Sequence, residues 1–104
     1  MADRYADVAN RVGKCLMRQS DVFVSFSFEY PGFIALRTNG GGLWNIGTAD
    51  GNWGADLYID EESYVEGESP DHSISTSIGA DSMDVGMICE ALYSAMVAIP
   101  TATR

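Results

Sequence analysis

Seven of the chain's fifteen acidic residues fall between Asp56 and Asp71: Asp56, Asp60, Glu61, Glu62, Glu66, Glu68 and Asp71, with Tyr58 and Tyr64 among them. Carboxylates at that density attract rows of lysine and arginine, and an aromatic ring beside them offers a desolvated anchor. If residues 55–60 form a strand, Asp56, Tyr58 and Asp60 share the face opposite Ala55, Leu57 and Ile59, at steps of about 7 Å. The rest of the chain deepens this field. No lysine or arginine occurs between Arg37 and Arg104, where average composition would place about eight cations. The first 37 residues hold five cations and four acids, so the formal charge of -9 is concentrated in the remainder. Such asymmetry points to cationic partners and away from phosphate.

Other residues that could carry chemistry are weaker. Asp50, Asn52, Asp56 and Glu61 occupy positions 1, 3, 7 and 12 of a calcium-loop window. However, Ala55 stands where glycine makes the sharp turn, and strand-like alternation surrounds the window where helices are required. A hairpin turn at Asp50-Gly51-Asn52 is the better reading. His72 is the one histidine; Asp71-His72-Ser73 are adjacent in sequence, whereas a triad needs its side chains to converge in space. Asn39-Gly40-Gly41-Gly42 lacks the lysine of a phosphate cradle. No nucleophile, base or metal-ligand set can be assembled, so neither catalysis nor a cofactor is expected. Cys15 and Cys89 form no metal-type cluster and are expected as two buried thiols, a bridge between two helices being the alternative.

The elements that must position these residues follow from periodicity. Tyr5, Val8, Val12, Cys15 and Leu16 recur at helical spacing over 3–19, with Arg4, Arg11, Lys14 and Arg18 on a neighbouring stripe and Asp7 placed to pair with Arg11. From Val22 the period becomes two, with Val22, Val24, Phe26 and Phe28 expected inward and Ser25, Ser27 and Glu29 outward. Tyr30-Pro31-Gly32 turns the chain into strands over 33–38, 43–48 and 53–60, and Trp44 and Trp53 are expected in the core. Residues 60–73 read as a mobile acidic loop, and Ile74, Thr76 and Ile78 suggest a fifth strand. A last helix, capped by Asp81 or Ser82 and stopped by Pro100, buries Val85, Ile88, Leu92, Ala95, Met96 and Ile99. Its outer side carries Met83, Met87 and Val97, which would suit self-association or contact with an effector.

The expected architecture is therefore one α+β domain: an N-terminal helix, a four- to five-stranded mostly antiparallel sheet and a C-terminal helix, with both helices packed on one sheet face. The order of elements resembles the double-stranded RNA-binding architecture, but the second helix offers no cation before Arg104, and direct binding of nucleic acid is disfavoured. No apolar run is long enough to span a membrane, and the start lacks a signal-peptide pattern, so a cytoplasmic protein is expected, in a host cell if phage-encoded. The expected function is that of a small acidic non-enzymatic inhibitor, monomeric or homodimeric, that occupies a basic groove on a nucleic-acid-handling complex. Anti-CRISPR-type counter-defence proteins of phages offer the analogy, one of class alone. The alternative is an immunity protein or secretion chaperone that binds a toxin or effector.

Overall fold

A computed structural model describes residues 4–29 and 33–99. Along the chain run α1 (Arg4–Gln19), β1 (Phe23–Glu29), β2 (Phe33–Thr38), β3 (Leu43–Gly47), β4 (Asn52–Tyr58), α2 (Glu61–Val65), β5 (His72–Gly79) and α3 (Val85–Val97). The strands form one antiparallel meander in the order β1-β2-β3-β4-β5. Both long helices cover the same face, α1 against β1 and β2, α3 against β4 and β5, and they pack on each other. This is the expected α+β layout, with five strands. Among the described residues no helix is long and apolar enough to cross a membrane.

Pairing registers show why the alternating sequence folds this way. One row across the helix-covered face runs Phe26, Leu36, Trp44, Leu57 and His72, and the next runs Phe28, Ile34, Ile46, Ala55 and Ile74. Val8, Ala9, Val12 and Leu16 of α1, with Ile88, Cys89, Leu92 and Met96 of α3, close over these rows. Trp44 and Trp53 are fully buried, and Tyr5 stacks on Trp53 with ring centroids 5.6 Å apart. Gly13 is where α1 comes closest to the sheet, because a Cβ there would lie 2.6 Å from the Phe26 ring.

Several expectations are corrected. The register slips between Phe23 and Ser25, so Phe23 enters the core and Val24, expected inward, is exposed; a bulge reverses the alternation that periodicity assumes. The ladder of β4 ends at Tyr58, short of Asp60. Residues 60–73, read as a loop, hold α2 and the start of β5. Asp84, rather than Asp81 or Ser82, caps α3, its carboxylate accepting from the Met87 N–H at 3.1 Å. The turn at Tyr30-Pro31-Gly32 and the stop at Pro100 lie outside the described residues.

Candidate functional site

The face of the sheet away from α1 and α3 carries three rows. The first is Ser25, Arg37, Leu43 and Tyr58; the second is Ser27, Ala35, Asn45, Asp56 and Ser73; the third includes the pair Glu29 and Phe33 and the trio Gly47, Gly54 and Ser75. The short helix α2 lies over the first row, where Tyr64 packs on the cluster of Ala35, Leu43 and Tyr58. The two tyrosine rings meet edge to face at 5.3 Å. Burial, reinforced by the charge of Asp56, raises the Tyr58 phenol above its ordinary value; burial, then Glu29 and Tyr58, do the same at Tyr64 against a lowering by Arg37. Both hydroxyls therefore stay protonated at neutral pH.

Three devices hold α2 in place. Asp60 caps its start by accepting from the Glu62 N–H at 3.0 Å. Gly67 closes its end with φ of 75°, Glu68 N–H donating to the Ser63 carbonyl and Gly67 N–H to that of Tyr64. This is a Schellman closure, which needs a residue that accepts the left-handed region. The third device is an ion pair from β2, in which Arg37 Nε donates to Glu61 Oε1. The Glu61 N–H also donates to the Gly41 carbonyl, tying α2 to the β2–β3 turn.

The seven acids therefore divide by role. Asp60 is engaged as a cap and Glu61 by Arg37, while Asp71 accepts from the Ile59 N–H at 2.9 Å. Asp56 accepts from the Ser73 hydroxyl at 2.7 Å in the middle of the outer face. Glu62, Glu66 and Glu68 are exposed on α2 and just beyond it, and among the described residues no ion pair reaches them. Tyr58 is 8% exposed, so it supports α2 from below and does not project between carboxylates as the strand reading expected. Exposed apolar contacts come instead from Val65, at 76% exposure, and Ile59, at 48%. Sequence reasoning missed both, although Val65 amid acids in a capped turn is a readable signal.

The other candidates do not converge. Asp71 is turned to the Ile59 backbone, His72 lies at the edge of a helix-side row, and Ser73 faces the outer side with Asp56. The calcium-loop residues separate likewise, since Asp50 sits in the β3–β4 turn, Asp56 bonds Ser73 and Glu61 pairs with Arg37. Among the described residues no group of three or more His, Cys, Asp or Glu gathers as metal ligands do. Cys15 and Cys89 are free thiols, Cys89 buried and Cys15 half-buried.

The cations of α1 lie on the other side of the molecule. Arg4, Arg11, Lys14 and Arg18 are exposed on a helix that packs against the inner face, and Arg11 pairs with Asp7 of its own helix. The sheet stands between them and the carboxylates of α2. Met87 and Val97, on α3, are exposed at 54% and 37%, whereas Met83, expected on the same helix, precedes its cap Asp84 and is exposed at 52%. No protein-family model, curated protein or solved structure matches the chain.

Proposed function

We propose that this chain is a non-enzymatic inhibitor whose acidic face, built on α2 and the outer side of β4, docks on a basic surface of a nucleic-acid-handling protein complex and excludes nucleic acid from it. The observation that carries the reading is the separation of charge. Glu62, Glu66 and Glu68 are exposed on one side of the sheet, beside Val65 and on the face that also carries Asp56, while the cations of α1 are exposed on the other. A surface that binds phosphates attracts such carboxylates, with steering that weakens as salt rises. Capping and the Arg37 pair hold α2 in place, so less ordering remains to be done on binding.

The test is Glu62→Lys/Glu66→Lys/Glu68→Lys, a set that spares the cap at Asp60 and the ion pair at Glu61. Affinity capture at low and moderate salt, from cells in which the protein naturally acts, should recover a nucleic-acid-binding protein, with DNA or RNA competing for it. The triple variant should lose that capture while its melting temperature stays nearly unchanged. Capture that survives the reversal, or that nucleic acid does not compete away, rejects the proposal.

A second reading, an immunity protein or secretion chaperone, is favoured by the half-exposed Met83 and Met87. It requires light scattering to show a dimer that Met87→Glu dissociates, or an effector whose binding Met87→Glu abolishes.

A further inference from the structure

Cys15 and Cys89, the chain's two cysteines, are far apart in sequence and come together where α1 and α3 pack on each other. On α1, Val8, Val12 and Leu16 are buried, and Cys15, one position round the helix from Leu16, is half-buried at the edge of that stripe. On α3, Ile88, Leu92 and Met96 form the buried stripe, and Cys89, one position round from Ile88, is 1% exposed. Tyr93 follows Cys89 by four residues and so shares its side of the helix. Its ring meets that of Phe23 edge to face at 6.3 Å. Phe23 belongs to β1, the strand that α1 covers, so this side of α3 is the one turned toward α1. The two thiols are in contact there, joined by a side-chain hydrogen bond.

The two thiols differ in access. Cys15 is open to solvent on one side, where Gln19 Nε2 donates to its Sγ at 3.9 Å in an exposed contact. Cys89 is closed off, and burial pushes its thiol up to about 12, so it keeps its proton at neutral pH. An oxidant from solvent therefore reaches Cys15 first. A solitary buried cysteine would be inert and a solitary exposed one would oxidise stepwise, but a sulfenic acid formed against a second thiol condenses with it.

We propose that Cys15 and Cys89 are a redox latch, which hydrogen peroxide closes into a disulfide between α1 and α3 and which thiol reductants reopen. Peroxide oxidises the Cys15 thiol to a sulfenic acid, its O–O bond breaking and one oxygen leaving as water. The Cys89 sulfur then attacks the Cys15 sulfur; the S–S bond forms as the S–O bond breaks, and the sulfenic oxygen leaves with the Cys89 proton as a second water. Two thiols and one peroxide thus give one disulfide and two waters. The crosslink spans most of the chain and ties the helix layer to itself, which stabilises the fold by restricting the unfolded state. It lies on the opposite side of the sheet from α2, so the latch acts on the persistence of the fold under oxidant and leaves the acidic surface as it is.

Peptide mass mapping of the reduced whole chain, treated with hydrogen peroxide and digested without reductant, tests the latch directly. The Cys15 and Cys89 peptides should appear joined, lighter by the two thiol hydrogens, from protein that still runs as a single chain on a non-reducing gel. The Tm should rise by about 10 °C or more, as closure of a long loop predicts, and dithiothreitol should return it to the starting value. Cys15→Ser should keep its Tm through the same treatment, and Cys89→Ala should stop at the first step, with Cys15 labelled by dimedone. Mapping of the parent chain decides the matter even where a variant folds poorly. Cys15 driven to sulfinic acid while Cys89 remains a thiol, a disulfide between two chains, or a bridge that lowers the Tm overturns the proposal. None of these outcomes touches the inhibitor reading, which is decided on Glu62, Glu66 and Glu68 with the partner present.

Discussion

Gly13 and Phe26 should behave as one unit in a double-mutant cycle. A Cβ added at Gly13 would sit 2.6 Å from Phe26 Cδ2, 2.7 Å from Cε2 and 3.2 Å from Cγ, so the ring must move or α1 must lift from the sheet. Overpacking of this kind costs about 1–3 kcal/mol, whereas replacing glycine by alanine inside a helix returns about 1 kcal/mol. Gly13→Ala alone should therefore destabilise the protein by about 1 kcal/mol, the difference between those two effects. In a Phe26→Ala background the collision is gone and only the helix gain remains. There the same substitution should stabilise by about 1 kcal/mol, for a coupling of about 2 kcal/mol. Urea unfolding followed by fluorescence of the buried Trp44 and Trp53 measures all four corners, and each kcal/mol is worth about 4–8 °C of Tm in a domain of this size. If Gly13→Ala stabilises the parent protein, or the coupling falls below about 0.5 kcal/mol, α1 does not approach the sheet as closely as described and the reasoning fails.

Three further predictions concern helix caps and pH. Asp84→Ala removes the cap of a helix that supplies Ile88, Leu92 and Met96 to the core, so global stability should fall by about 1 kcal/mol in urea unfolding. Asp60→Ala removes the same kind of bond from a five-residue helix with no buried residue; it should speed amide exchange at Glu62 and leave global stability within about 0.5 kcal/mol. Burial, with the Cys15 thiol beside it, pushes the Cys89 thiol up from 9.0 to about 12. The unfolded chain therefore releases a proton, above about pH 9, that the folded chain still holds. Stability from this group is complete below the unfolded value and declines as pH rises toward 12. Cys89→Ala should flatten the loss of stability between neutral and alkaline pH, and an unchanged slope contradicts the assignment.

Periodicity made the helix-covered face legible because burial there is continuous. Phe26, Phe28, Ile34, Leu36, Trp44 and Ile46 alternate without interruption and form the two rows beneath the helices. Reading failed where one residue changed the parity or where an element was too short to show a period. The bulge between Phe23 and Ser25 exchanged the places of Phe23 and Val24, which no pattern of hydrophobicity reports. The five residues of α2 span less than two turns, so its signals were local ones, Asp60 as cap and Gly67 as closure. With α2 unread, Tyr58 was left apparently exposed, although Tyr64 covers it. The acidic segment itself was plain from composition. The gap in side chains on the outer face was not, because Gly47 and Gly54 become neighbours only through the β3–β4 register.

Arg37 decides how that segment is used. It is the last cation before Arg104, and the fold places it on the outer face, inside the negative region, where it would be expected to dilute the field. Its guanidinium is engaged by Glu61 at the first turn of α2 and by Ser27 across the sheet. The pair is about a third exposed on both sides, so as a source of stability it is worth less than about 1 kcal/mol. Its effect is on direction: one carboxylate is neutralised at the base of α2, and this fixes the helix with Glu62, Val65 and Glu66 on its exposed side. A cation in that position organises the anionic surface more than it reduces it. An Arg37→Met variant separates the two effects. It makes the region more negative, so a purely electrostatic attraction to a basic partner should strengthen; if the set of α2 matters, association should weaken despite the added charge. The proposed docking predicts weakening, measured as a slower on-rate or faster dissociation at moderate salt, and tighter binding would show that net charge alone carries the interaction.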